Sequence, residues 1–168
     1  MNTHRDPLQI AADAVISPDA RITASTRGTV ISIGAGTHVM EYAVIRAVGG
    51  TGDIVIGEQC WINPHCVLYS GSGIRIGNHV AIAPGTSIVP ANHAFARRDV
   101  PIVQQGFMPA RGGVLIEDDV WIGANCVLLD GAHVRRGAIV AAGSVVTGEV
   151  SEFSIWGGSP ARLLKARP

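Results

Sequence analysis

From Ile116 to Ser151 the chain repeats every six residues: IEDDVW, IGANCV, LLDGAH, VRRGAI, VAAGSV, VTGEVS. The first position of each hexad is Ile116, Ile122, Leu128, Val134, Val140 or Val146. The fifth is Val120, Cys126, Ala132, Ala138, Ser144 or Val150, small or modest in size every time. An amphipathic helix repeats near 3.6 residues and a strand at 2. Neither accounts for a period of six. The pattern requires a short strand, a corner and another short strand, over and over.

Traced backwards, the repeat covers most of the chain. Hexads begin at Ile10, Ile16 and Ile22, at Ile33, Val39 and Ile45, and at Ile56, Ile62 and Leu68. After a two-residue slip they begin at Ile76, Ile82 and Ile88. The pattern breaks over 94–115 and then resumes, giving eighteen hexads in six groups of three. Three hexads make one triangular coil, with the first position pointing inward and the small fifth near a corner. Coils stacked at about 4.8 Å turn each side of the prism into a parallel sheet. Each coil relies on its neighbours to bury its core. The expected fold is all-β, a single domain over 1–168 with about six triangular coils over 10–93 and 116–151 and a protruding loop at 94–115. Ser159 as a cap, Pro160 in the first turn and the basic residues that follow predict a short closing helix at about 159–167. Residues 1–9 are expected to cap the opposite end.

Composition narrows the function classes. Apolar residues make up 47% of the chain but aromatics only 5%, so the core must be aliphatic. The 21 glycines lack a three-residue period and point to many tight turns. A net charge of zero argues for neither nucleic acid nor an anionic membrane as partner. No apolar run approaches ~18 residues, and MNTHRDPLQI has no apolar signal core. A soluble cytoplasmic protein is therefore expected. Cys60, Cys66 and Cys126 are odd in number, lack CxxC spacing and all fall at fifth positions. They read as reduced core residues.

Four stretches go beyond a generic repeat. They are Asn92-His93 before the irregular loop, Asp119-Val120-Trp121-Ile122-Gly123-Ala124, the run from Ala141 to Thr147, and Gly157-Gly158-Ser159-Pro160-Ala161-Arg162. In combination, over roughly 50–168, they resemble the hexapeptide-repeat acyltransferases. The likeness is above all to sugar and polysaccharide O-acetyltransferases, with maltose, galactoside and xenobiotic acetyltransferases as relatives. The resemblance implies a left-handed parallel β-helix and a homotrimer with sites between adjacent prisms. It implies acetyl-CoA as co-substrate, no resident cofactor or metal, and a sugar or polysaccharide-precursor hydroxyl as acceptor. An amine of a nucleotide-linked amino sugar and an antibiotic hydroxyl remain open as acceptors. A non-catalytic assembly domain of the same repeat is the rival of another class. Such a domain needs neither Asn92-His93 before a long loop nor a basic C-terminal segment.

His93 is the candidate general base. It closes the last hexad before the break, and long irregular loops in compact domains are usually functional. Imidazole titrates near neutrality, as acetyl transfer to a hydroxyl requires. The resemblance implies that His93 takes the hydroxyl proton as the acceptor attacks the thioester, with no acyl-enzyme. It matches Asn63 to an acceptor-binding Asn of the galactoside-type enzymes. Their acidic acceptor ligand aligns near Gly71 and is missing here, which leaves the acceptor open. Trp61 and Trp121 occupy equivalent sixth positions and should face out from one side of the prism, two coils apart. Trp61 is assigned to the acceptor, and the resemblance implies that Trp121 lies along the coenzyme groove or a subunit contact, with structural packing as the alternative. Ala124, Ala142 and Thr147 match residues lining the pantetheine arm, and the Ala124 N–H is the candidate oxyanion donor. Arg162 and Lys165, helped by Arg167, match the phosphate-binding positions. His38, His65, His79 and His133 are expected at solvated corners. No two histidines stand five apart, as they do in the hexapeptide-repeat carbonic anhydrases. In the loop, Arg97, Arg98 and Asp99 are expected to pair or face solvent, and Phe107 and Met108 to pack on a neighbouring chain.

Overall fold

The computed structural model describes residues 6–168. Three sheets run along the molecule as the sides of a prism. The first side holds Leu8–Ile10, Ile31–Ile33, Ile54–Ile56, Ile74–Ile76, Val114–Ile116, His133–Val134 and Glu149–Val150. The second holds Val15–Ile16, His38–Val39, Trp61–Ile62, Ala81–Ile82, Trp121–Ile122, Ile139–Val140 and Ser154–Gly157, and ends on Arg162–Ala166. The third holds Arg21–Thr23, Val44–Arg46, Val67–Tyr69, Ser87–Val89, Val127–Leu129 and Val145–Val146. The coils wind as the left-handed parallel β-helix that the family resemblance implied.

The sheet register follows the repeat. On the first side Ile10 lies opposite Ile33, and the column continues through Ile56, Ile76, Ile116 and Val134. The last hexad departs from the expected register: the coil after Val134 is two residues short, so Val150, expected near a corner, takes the next inward place in this column. On the third, Leu68, Ile88, Leu128 and Val146 form one column. These aliphatics are almost completely buried from Ile31 onward. Burying such a side chain contributes about 1.5–3 kcal/mol. Beyond the six coils, Glu149–Val150 and Ser154–Gly157 add part of a seventh. Leu8–Ile10 starts the first coil rather than capping it, and residues 1–5 of the expected cap lie outside the described residues.

The corners have a rule of their own. Fourth positions Gly36, Tyr42, Gln59, His65, His79, Gly85, Asp119, Asn125, Gly131, Gly137 and Gly143 all take positive φ, between 54° and 88°. This conformation turns the chain from one flat side to the next. It costs a residue with a Cβ roughly 1–2 kcal/mol. His65 and His79 are corner residues, as expected. His38 and His133 are not: both lie in strands at outward sixth positions, because the corner sits two residues earlier.

Fifth positions satisfy corner backbone groups. The Thr37 hydroxyl donates to the Gly57 carbonyl at 2.8 Å and accepts from the Cys60 N–H at 3.0 Å. Thr86 does the same with Gly123 and Cys126, at 3.0 and 3.3 Å. The three cysteines are free and buried. Their thiols donate to carbonyls of the next coil: Gly77 from Cys60 at 3.1 Å, Ala83 from Cys66 at 3.3 Å and Ala141 from Cys126 at 3.1 Å. Burial pushes the Cys66 thiol up to about 11.

The C-terminal expectation needs correction. Residues 159–167 do not form a helix. The chain turns at Gly158, and Arg162–Ala166 returns antiparallel to Ser154–Gly157. The last strand of the second side would otherwise present unpaired N–H and carbonyl groups. Pairing them outweighs the local helix-start signal. The reversal also covers the end of the third side, where Val145 donates to the Gly158 carbonyl and accepts from Ala161.

The corner rule makes a testable statement. His79→Val should destabilise the protein by about 1–2 kcal/mol, whereas His79→Gly should be neutral or stabilising. Urea denaturation of the two variants measures the difference.

Candidate active site

His93 follows the buried Pro90 at the edge between the third and first sides. The chain leaves the prism there and returns at Val114. The excursion is ordered by its own hydrogen bonds. His93 forms an antiparallel bridge with Phe107, Ala94 donates to the Gly106 carbonyl and Met108 to the Asn92 carbonyl. The Gln105 amide staples the loop, donating to the Arg97 and Val100 carbonyls at 2.7 Å each and accepting from the Arg97 N–H at 3.0 Å. Arg97 pairs with Asp99 at 2.7 Å. Phe107 lies against the His93 ring, centroids 4.8 Å apart, so it covers the imidazole of its own chain. Its far side and Met108 stay exposed.

Sequence reasoning passed over the residue that anchors the loop's return. Asp130 is buried at this edge and accepts from the Arg111 N–H at 2.7 Å and the Gly113 N–H at 2.8 Å. The one signal was an acid directly before Gly131, at the third position of its hexad. Thr147 lies at the end of the third side, at the same edge as His93 but two coils further on. Thr147 and Arg162 line a small pocket of about 90 Å³ with Glu149 and Trp156.

The other predicted residues gather elsewhere. Ala124 and Ala142 stack at the edge between the second and third sides, where the Gly143 N–H donates to the Ala124 carbonyl at 2.8 Å. Among the described residues, the N–H groups of Ala124 and Ala142 have no acceptor. Asn63 stands at the end of the second side and donates to the Ile82 carbonyl at 2.9 Å. Trp61 and Trp121 face out from the second side with Ala81 between them in the ladder, as expected. They are 45% and 54% exposed, too open to be core residues. His93 stands at the edge between the third and first sides, whereas Asn63, Ala124 and Ala142 stand at the edge between the second and third, so one side of the prism lies between the two sets.

Arg162 and Lys165 are exposed on the terminal strand, with no carboxylate partner among the described residues. Arg167 is engaged: it pairs with Asp119 at 2.9 Å and donates to the Gly137 carbonyl. No group of three or more metal-capable side chains gathers among the described residues, and none of the described helices is long and apolar enough to cross a membrane.

His133 forms a different cluster, on the first side. Its Nε2 lies 2.7 Å from Glu117, which also accepts from Arg135 at 3.3 Å and the Arg136 N–H at 2.9 Å. Arg135 reaches on to Glu149 at 3.1 Å. The Arg136 N–H, with help from His133 and Arg135, holds the Glu117 carboxyl below its ordinary 4.5, against the opposing effect of partial burial. A carboxylate with a lowered folded value stabilises above its unfolded value and loses that contribution as pH falls through the folded one. Glu117→Gln should therefore cost stability at pH 7, by no more than about 1 kcal/mol because the groups are partly solvated. The gap to the parent should close as pH drops below the ordinary carboxylate range. Thermal melts of both proteins from pH 7 to pH 3 measure it.

Residues 113–148 match the family described as bacterial transferase hexapeptide (six repeats). An acetyltransferase candidate of Saccharomyces cerevisiae is 33% identical over 113 residues, covering 67% of this chain and 56% of that protein. A 2,3,4,5-tetrahydropyridine-2,6-dicarboxylate N-acetyltransferase of Staphylococcus aureus is 51% identical over 57 residues, 34% of this chain and 24% of that protein. The matches thus span about half or less of these relatives' lengths. Among solved structures, the N-acyltransferase AntD of Bacillus cereus, in complex with dTDP and 3-hydroxybutyryl-CoA, superimposes with a TM-score of 0.78 at 24% identity, over 96% of this chain and 83% of AntD. The Vibrio cholerae hexapeptide-repeat acetyltransferase VCA0836, complexed with acetyl-CoA, gives a TM-score of 0.60 at 25% identity, over 96% and 72%. Repeat, register and sequence match agree: this chain carries the hexapeptide repeat of the bacterial transferase family and folds as that family's left-handed parallel β-helix.

Proposed function

We propose that this chain is an acetyl-CoA-dependent acetyltransferase that acylates a saccharide hydroxyl, with His93 as general base. One observation carries the reading. An exposed imidazole stands at the root of an ordered loop, and unpaired backbone N–H groups line a different edge of the same smooth prism. The hydroxyl proton passes to the His93 imidazole while the oxygen attacks the thioester carbonyl. The Ala124 N–H holds the oxyanion that develops. Collapse of the tetrahedral species expels the coenzyme thiolate, which takes the proton back from the imidazolium. Ala142 and Thr147 offer small surfaces to the pantetheine arm, and Arg162 and Lys165 offer cations to the phosphates. The two edges act on one substrate only if a second copy supplies the facing edge. A homotrimer with three shared sites meets that need.

Acetyltransferase names among the relatives support the chemistry. AntD and VCA0836 hold acyl-CoA or acetyl-CoA on the same fold. A second reading keeps the mechanism and changes the acceptor. The staphylococcal relative and AntD are N-acyltransferases, and one AntD complex holds dTDP-4-amino-4,6-dideoxyglucose. That favours an amine on a nucleotide-linked sugar as the alternative.

His93→Ala should lower kcat by about 10²–10⁴-fold while leaving oligomeric state and melting temperature unchanged. Thiol release from acetyl-CoA across a panel of saccharides and amino-sugar nucleotides measures activity and separates hydroxyl from amine acceptors. Full activity in the variant would remove His93 from the mechanism. If calorimetry detects no coenzyme A binding, the chain is an assembly domain instead.

A further inference from the structure

The outward ladder on the second side runs Val15, His38, Trp61, Ala81, Trp121, Ile139. Side chains at these in-register positions leave the sheet in the same direction, one coil apart. His38 and Trp61 already form a stack, with ring centroids 4.1 Å apart and planes within 5° of parallel. The Trp61 ring is therefore turned broadside along the ladder, and its other face looks over the Ala81 methyl. Trp121 stands on the far side of that step. Three of four consecutive positions carry rings, and the fourth carries the smallest side chain available after glycine.

We infer that the step over Ala81 is a saccharide subsite in which one pyranose ring sits between the indoles of Trp61 and Trp121. The choice of occupant rests on the sugar-acceptor reading, and the geometry supports it independently. Two ladder steps separate the backbones of the two tryptophans by about 9.6 Å. A flat heterocycle in contact with both would need about 7–8 Å, twice the ordinary carbon–carbon contact distance, and would leave a void. A chair pyranose is thicker and presents C–H groups on both faces, so it fills the step against two apolar walls. Polar groups flank the step where ring hydroxyls would emerge. Asn63 uses one amide hydrogen on the Ile82 carbonyl, leaving its oxygen and second hydrogen. His79 is exposed at the corner two residues before Ala81. His38 holds the Trp61 ring broadside, which makes it a positioning residue for the subsite. Trp121 thereby faces the acceptor, in contrast to the coenzyme role that the family resemblance implied.

The test fills the step from within. Ala81→Phe places a ring where the pyranose would sit, and its surface position leaves the core untouched. Saturation-transfer NMR with methyl β-D-glucopyranoside, methyl β-D-galactopyranoside and adenosine reads binding directly. We expect at least one pyranoside to receive saturation on both ring faces in the parent protein. That signal should be lost in Ala81→Phe and in Trp61→Ala, with coenzyme A binding retained in both. The KM for a turned-over saccharide should rise about tenfold or more in Ala81→Phe, the loss of roughly 1.4 kcal/mol of contact. Pyranoside binding that Ala81→Phe leaves unchanged overturns the inference, as does binding of adenosine alone. An unchanged KM in an active Ala81→Phe protein sinks the subsite but spares the acetyltransferase reading. Pyranoside binding at the step without any acetyl transfer does the reverse.

Discussion

No coil of this protein has an inside of its own. Each triangle is one hydrogen-bonded layer thick, and its three inward aliphatics meet burial only through the layers above and below. Ile62 is closed by Ile82, Ile82 by Ile122 and Ile122 by Val140. Stacking therefore fixes everything else: the period of six, the small fifth positions and the exclusion of insertions from the sides. Extra residues are accepted only at edges, where a loop leaves without displacing a layer. The excursion after Pro90 is the largest such exit, and Asp130, buried beneath its return, keeps the next layer in register.

The side register was legible because the first-position column is a burial signal, and burial is what the sequence pattern encodes. The first-side column from Ile10 to Val134 follows the first positions of the repeat, whereas Val150, a fifth position, joins it only because the last coil is two residues short. The fourth-position corner was less visible. Its residues share a backbone conformation rather than a chemistry, and glycine, asparagine, histidine, glutamine and even Tyr42 adopt it. The C-terminal segment misled for a related reason. Ser159-Pro160 and the basic residues after them are local helix signals, while the unpaired edge of Ser154–Gly157 is a non-local demand that no window of sequence contains.

The candidate site divides in the same way. His93 was legible because a repeat that stops draws attention to the residue at which it stops. The outward positions of Trp61 and Trp121 followed from register alone. Their neighbours did not. The His38–Trp61 stack joins residues 23 apart in numbering, and the Gln105 staple depends on how an irregular loop folds on itself. The pairing of Arg167 with Asp119 shows the limit of counting cations near a terminus: charge can be read from sequence, engagement cannot.

The reversal of Arg162–Ala166 has a consequence beyond pairing one edge. A stack of parallel coils is in principle unlimited, since the top of one molecule offers the same strand template as the bottom of the next. Such ends are the starting points of fibres built on strand-on-strand growth. An antiparallel final strand of mixed charged and apolar residues presents the wrong direction for another coil to continue. The open edge of the second side is thereby closed to strand-on-strand growth by five residues that contribute nothing to the prism's core.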